Sequence, residues 1–275
     1  MAVTALLTVL LCFATFAWWF DDAVVNSENF VGSTVRAFAE GTSRDAAGHL
    51  IVERLVERYP LLVVLEPNLV DMFVDLLDTP EVGVVISVVT ADIHEQIMSG
   101  SREAVVVSLV DHRDSILAPI EAVAPSLARV IPSSWFVSIE IVEAGELPDF
   151  SPYATWVEIV RVVTFLAAVL LVATLLWLVR RRGRALTLIG AAFVAAAFVA
   201  RILVPAGRTI VAQGIERSHI ATIAINLYDE FTRSLFLRAA LLAGVGTVLI
   251  VFGVALWLAL DEQDRAAARE RQGIA

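Results

Sequence analysis

Apolar residues along the chain gather into four long runs, 2–20, 162–179, 185–204 and 237–260, separated by stretches of much higher polarity. Each run approaches the ~20 residues that a helix needs to cross about 30 Å of hydrocarbon at ~1.5 Å per residue. The pattern therefore predicts four transmembrane helices. The long polar stretch between the first two, 21–156, has a periodicity of its own. Ile51, Val52, Leu55, Val56 and Tyr59 alternate in pairs with Glu53, Arg54, Glu57 and Arg58, the pattern of a helix with one buried stripe. Thr42, with Asp45 three residues on, is expected to open that helix in the manner of a capping box, and Pro60 to stop it.

Further helices are expected on either side. One should run from about Ser27 to Glu40 and end at Gly41. Pro67, in first-turn position, begins another whose buried face is Leu69, Val70, Phe73, Val74 and Leu77. Thr79 as N-cap, Pro80, Glu81 and a closing Gly100 punctuate the next, with Val82, Val85, Ile86, Val89, Ile93 and Ile97 as its stripe. The pattern then changes. The run 104–109 is β-branched and 136–141 alternates strictly, which predicts two short strands joined by a helix over 114–131. The expected fold class is a mainly α membrane protein, with four transmembrane helices and a helical extracytoplasmic domain carrying a minor two-stranded β element.

Four arginines in five residues, Arg180-Arg181-Arg182-Gly183-Arg184, separate the second apolar run from the third. Arginine-rich short loops remain on the cytoplasmic side, so this cluster orients the whole chain. The predicted order is transmembrane helix 1 (1–20), an acidic extracytoplasmic domain (21–156), transmembrane helix 2 (157–179) and a cytoplasmic arginine hairpin (180–184). Transmembrane helix 3 (185–204), a partly helical outer segment (205–236), transmembrane helix 4 (237–260) and a cytoplasmic tail (261–275) complete it. Both termini are then cytoplasmic and the location is the cell membrane.

Composition agrees with the membrane reading: 58% of residues are hydrophobic and the mean hydropathy is +0.78. The net charge of −10 conceals an asymmetry, because 21–156 holds 22 Asp and Glu against 7 Arg, a net −15. So acidic a surface repels nucleic acid, which is excluded as a partner. All twenty basic residues are arginine, the mark of a G+C-rich genome. A single cysteine, Cys12, rules out an intrachain disulfide. The first run lacks a basic flank and exceeds the usual signal-peptide core, so it is expected to be a retained anchor whose Trp18, Trp19 and Phe20 sit at the outer interface.

With these segments placed, the chain resembles a group of uncharacterised four-span membrane proteins of actinobacteria. The likeness is carried by Val105-Val106-Val107-Ser108-Leu109, a helix over 118–130, then 136–143 and Leu147, the arginine hairpin, and Tyr228-Asp229 with Arg233 and Arg238. It implies the fold just described and no activity, cofactor or site.

Candidate chemistry is sparse. Asp92, His94 and Glu95 lie close in sequence, but on a helix positions two apart face different ways, so a solvated polar face is expected rather than a metal site. In Asp111-His112-Arg113-Asp114 an aspartate has the structural task of capping the following helix. Neither a nucleophile elbow nor a phosphate loop occurs, and the chain is expected to have no catalytic, metal or cofactor site. The better lead is charge at the membrane boundary. Arg201 falls about one turn below the outer surface, and Glu158, Arg161, Asp229, Glu230 and Arg238 approach the same depth, so an outer-rim ion-pair cluster is expected. The row Ala192, Ala196, Ala200 permits close helix packing and is a candidate surface for a homo-oligomer.

These features favour a non-enzymatic envelope protein, in contact with membrane lipids, whose outer domain binds a protein partner or ligand. A channel or transporter subunit is the alternative, although no ionisable residue falls near the midplane of a span. A membrane-embedded enzyme acting on lipid or cell-wall precursors, using Asp111, His112, Asp114 or Asp229, is the third.

Overall fold

The computed structural model describes residues 2–99, 105–107, 113–114, 117, 121, 139–142, 151–179, 182–215 and 218–271. They fall into two compact units. The first comprises Met1–Phe20, Trp156–Pro205 and Arg233–Ala275, the second Asp21–Thr155 and Ala206–Thr232.

The first unit is built from α1 (Ala2–Phe20), most of α6 (Ser151–Leu178), the start of α7 (Arg182–Gly214) and the greater part of α8 (Ser218–Arg271). All four are long and apolar enough to cross a membrane, which makes this a multi-pass membrane protein. Its large apolar side chains point outward: Trp177 is 85% exposed, with Leu170, Leu237 and Val248 close behind. Lipid gives no drive to hide such groups, and the inside combines a few leucines and an isoleucine with residues small enough for close backbone approach. Ala168, Ala192 and Ala196 pack with Leu7, Leu11, Leu175 and Ile189, and Ala197, Ala200 and Ala239 form a second cluster beside it. The row Ala192, Ala196, Ala200 is thus buried within the chain's own bundle. Side chains of α1, α6 and α8 pack on that face.

Glycines set the contact between α7 and α8. Gly183 meets Gly253 and Gly190 meets Gly246, so the partner's number falls by seven as the helix residue's number rises by seven, an antiparallel pairing repeated every two turns. A Cβ placed at Gly190 would lie 2.5 Å from the Gly246 carbonyl oxygen, and one at Gly183 would lie 2.6 Å from that of Gly253. At this separation only Cα hydrogens fit between the helices, where they face the opposite carbonyls.

In the second unit α1 passes through a π-helical turn, Asp21–Val25, into α2 (Ser27–Ala39), which Asn26 caps by accepting the Asn29 N–H at 3.0 Å. The next helix, α3 (Gly41–Arg58), stops just before Pro60 as expected but departs from expectation at its start. Gly41 begins it rather than ending α2, and Thr42 lies inside its first turn, where its hydroxyl accepts from Asn226 at 2.8 Å instead of capping. A tertiary partner has displaced the local one. The buried face is also shifted toward small residues, Ser43, Ala46, Ala47 and Val52, while Tyr59 is 43% exposed.

A 3-10 turn, Pro60–Leu65, leads to α4 (Glu66–Leu77), which has Pro67 in its first turn and Leu69 and Val70 buried against Val52. Helix α5 (Pro80–Met98) starts at Pro80 with Thr79 in the N-cap position as expected, but the Thr79 hydroxyl accepts no helix N–H and instead donates to the Leu76 carbonyl at 2.7 Å. Gly100 lies outside the described residues. Strand β1 (Val105–Val107) pairs antiparallel with β2 (Ile139–Val142), with an irregularity between Val105 and Val106. Most of the expected helix between them lies outside the described residues.

Helices α7 and α8 both run beyond their apolar stretches. Pro205 deprives the ladder of one N–H, yet α7 continues through it to Gly214. Of the segment 205–236, expected to be partly helical, 205–214 is the end of α7 and 218–236 the first turns of α8. At 54 residues α8 is about 80 Å long at ~1.5 Å per residue, far more than the ~30 Å of hydrocarbon.

Candidate functional site

The first four turns of α8 form the post around which the second unit is tied. Each face of it has a different partner. Toward α3, Asn226 donates through Nδ2 to the Thr42 and Ser43 hydroxyls at 2.8 and 2.7 Å, and the His219 ring stacks on His49 with centroids 4.9 Å apart. Toward α2, Glu230 pairs with Arg36 Nε, and that guanidinium also donates to Ser33 at 3.0 Å. Toward α7, Asp229 takes Arg208 Nε on both carboxylate oxygens, at 2.9 and 3.1 Å. One residue back, Tyr228 lies against Gly207, where a Cβ would sit 2.3 Å from the phenol oxygen. These ties fix both the rotation and the height of the post.

The remaining face of α8 looks into an apolar cleft of about 380 Å³. Helix α2 lines it with Phe30, Thr34 and Phe38, successive i, i+4, i+8 positions on one stripe. Helix α5 supplies Val85, Ile86, Val89, Thr90 and Ile93, and α8 supplies Leu227 and Phe231, again four apart. Of these ten side chains only the two threonines are polar, and Thr34 already donates to the Phe30 carbonyl at 3.0 Å. Phe30 closes one end, with its ring 5.0 Å from that of Phe231 and 4.8 Å from that of His94.

His94 explains why Phe30 holds its place. Its Nε2 donates to the Val24 carbonyl at 2.8 Å, joining α5 to the turn that precedes α2. The expectation of a solvated polar face at Asp92, His94 and Glu95 fits the two exposed carboxylates and fails for His94, which is 4% exposed. The two-residue offset that separated His94 from Asp92 is what turned it inward. No group of three His, Cys, Asp or Glu suited to a metal ion occurs among the described residues.

The six residues expected to form an outer rim are divided between the units. Glu158, Arg161, Arg201 and Arg238 belong to the first, Asp229 and Glu230 to the second. The Arg201 guanidinium lies 5.2 Å from the centre of the Phe236 ring, a cation–π contact within the first unit. Asp229 and Glu230 have Arg208 and Arg36 as partners, neither of which had been singled out; Arg161 and Arg238 are also partnered. Asp111 and His112 lie outside the described residues, and Asp114 is exposed.

The cleft itself was missed. The signal was present as Phe30-x3-Thr34-x3-Phe38 and Leu227-x3-Phe231, but these stripes are separated by almost two hundred residues and acquire meaning only once α8 stands beside α2. No protein family, curated protein or solved structure matches this chain, so its function must be read from the residues themselves.

Proposed function

We propose that the chain is a non-enzymatic protein of the cell membrane whose second unit lies outside the cytoplasm and binds an apolar ligand, the hydrocarbon chain of a lipid, in the cleft between α2, α5 and α8. The observation that carries this reading is a lining without a single charge, although eight of its ten side chains come from a segment, 21–156, whose net charge is −15. At about 380 Å³ the cleft falls within the ~300–1,000 Å³ range of ligand sites, which are mostly apolar with a few polar groups. Each methylene it removes from water contributes about 0.8 kcal/mol. Two threonine hydroxyls offer neither a proton-exchanging group nor an activated nucleophile, so the lining suits binding rather than reaction. The acidic surroundings disfavour a ligand with an anionic head group. Orientation rests on the cluster Arg180-Arg181-Arg182-Gly183-Arg184, whose cytoplasmic placement puts 21–156 on the opposite side of the membrane.

The test is photolabelling of the full-length protein in nanodiscs with a neutral lipid carrying a diazirine at the end of one alkyl chain. Adducts are expected on the Phe30 to Phe38 and Val85 to Ile93 peptides. Val89→Trp, which fills the cleft, should lower them roughly tenfold, the equivalent of ~1.4 kcal/mol. Adducts confined to the outward faces of α1, α6, α7 and α8 would show that the cleft takes no lipid chain.

A further inference from the structure

The turn Pro60–Leu65 is apolar throughout, yet none of its residues is buried. In 3-10 geometry positions three apart lie one above the other. Leu61 and Val64 therefore share one face, and they are 92% and 81% exposed. Leu62, one position round, packs against the Val52, Leu69 and Val70 cluster and anchors the turn, while Val63, Leu65 and Tyr59 are exposed beside it. The backbone is satisfied locally: Leu62 N–H donates to the Tyr59 carbonyl at 2.9 Å and Glu66 N–H to that of Val63. Such a turn can leave water without stranding those groups.

We infer that this turn is a membrane-insertion element, with Leu61 and Val64 entering the head-group and upper acyl region of the bilayer that the chain itself spans. Patch size speaks against a protein partner, since five apolar side chains are far short of the roughly 20–30 residues per side of a stable interface. Charge agrees, because 59–65 lies between Arg58 and Glu66 without a charged residue that a partner could pair. Tyr59 sits at the polar end of the turn, and tyrosine is a residue of membrane interfaces, its ring apolar and its hydroxyl wet. Connectivity makes a small patch sufficient. The second unit begins at Asp21, directly after Phe20 of the first, so the lipid surface is presented at high effective concentration. The −15 charge of 21–156 repels anionic lipid, so insertion is favoured in neutral bilayers.

The experiment uses the full chain with Cys12→Ser, one copy per phosphatidylcholine nanodisc, and a bimane label at Leu61→Cys or Val64→Cys, with Glu53→Cys and Asp71→Cys as exposed controls. A lipid-borne nitroxide is expected to quench the labels at 61 and 64 several times more strongly than the controls, and aqueous iodide to quench them less. Both positions are exposed, so folding is retained, and each checks the other. Labels at 61 and 64 that iodide reaches as freely as the controls overturn the inference. So does shielding from both quenchers that appears only when two copies share a disc, which assigns the turn to self-association.

Discussion

Replacing Gly190 with alanine places one methyl group where the structure has no room for it. The added carbon would lie 2.5 Å from the Gly246 carbonyl oxygen, 2.8 Å from Ile250 Cγ1 and 2.9 Å from Ile250 N. Two of those three atoms are backbone and cannot swing away as a side-chain tip can. A normal C···O approach is about 3.3–3.6 Å, so α7 and α8 must separate locally by nearly an ångström. Overpacking of this kind costs about 1–3 kcal/mol. A gap of ~0.5–1 Å also forfeits a quarter to a half of each neighbouring dispersion contact along the seam. Against this stands the intrinsic gain of alanine over glycine in a helix, about 1 kcal/mol. Gly244→Ala isolates that gain, because a Cβ at Gly244 meets nothing within 4 Å. The quantity to measure is therefore the difference between the two variants, expected at about 1–3 kcal/mol in favour of Gly244→Ala. Reversible unfolding of purified protein by SDS in mixed micelles, followed by circular dichroism, reads it directly. Adding Gly246→Ala to Gly190→Ala should cost less than the sum of the two, since the first methyl has already parted the helices. Equal stability of Gly190→Ala and Gly244→Ala would refute the argument that the backbone contact sets the seam.

Asn226→Leu leaves the fully buried Ser43 hydroxyl without its partner, so the second unit should lose about 1–3 kcal/mol and 27–98 should become markedly more open to limited proteolysis. Glu230→Gln removes the charge facing Arg36; because that arginine is 58% exposed, the expected loss is only about 1 kcal/mol, and it should shrink further in Arg36→Gln/Glu230→Gln. A reporter fused after Ala275 should be cytoplasmic and one inserted near Gly100 should not. Inversion of both would overturn the orientation argued from the arginine cluster.

How much of this could be read from the chain follows from the range of each signal. The four apolar runs and the starts at Pro67 and Pro80 are local, set by hydropathy and by proline's missing N–H, and they lie where local reasoning puts them. Gly190, Gly246 and Gly253 were visible as glycines, but their pairing depends on which helix stands opposite, and no spacing within one helix shows that. Helix capping by Thr42 is a sound local prediction that lost to a longer-range one, the Asn226 side chain. His94 misled for a related reason: a histidine beside two acids reads as polar, whereas one donor bond to the Val24 carbonyl is enough to let the ring be buried. Arg36 and Arg208 were passed over because their carboxylate partners are 194 and 21 residues away.

The two units use apolar residues in opposite ways, and this gives the proposed ligand a consequence for stability. In the first, most large apolar groups face outward and alanines pack with a few leucines inside, so cohesion depends on close fit and is insensitive to what fills a cavity. In the second, among the described residues, the larger buried aliphatics are Val52, Leu69, Val70 and Leu117, while Phe30, Phe38, Ile86, Val89 and Phe231 line a cleft instead of a sealed core. Polar ties at Arg36, Asn226 and Arg208 hold that cleft in shape, and such ties contribute little each. A chain bound there acts as the missing part of the core. At a free concentration 100 times its dissociation constant it stabilises the unit by about 2.7 kcal/mol. Removing lipid by repeated detergent exchange should therefore raise amide exchange in α2 and α5 by up to roughly a hundredfold while leaving the Gly190 to Gly246 seam unchanged. Returning a neutral lipid should restore protection in the wild type and not in Val89→Trp, where the indole already occupies the space. Equal loss of protection in both units would mean that lipid acts through the bilayer alone.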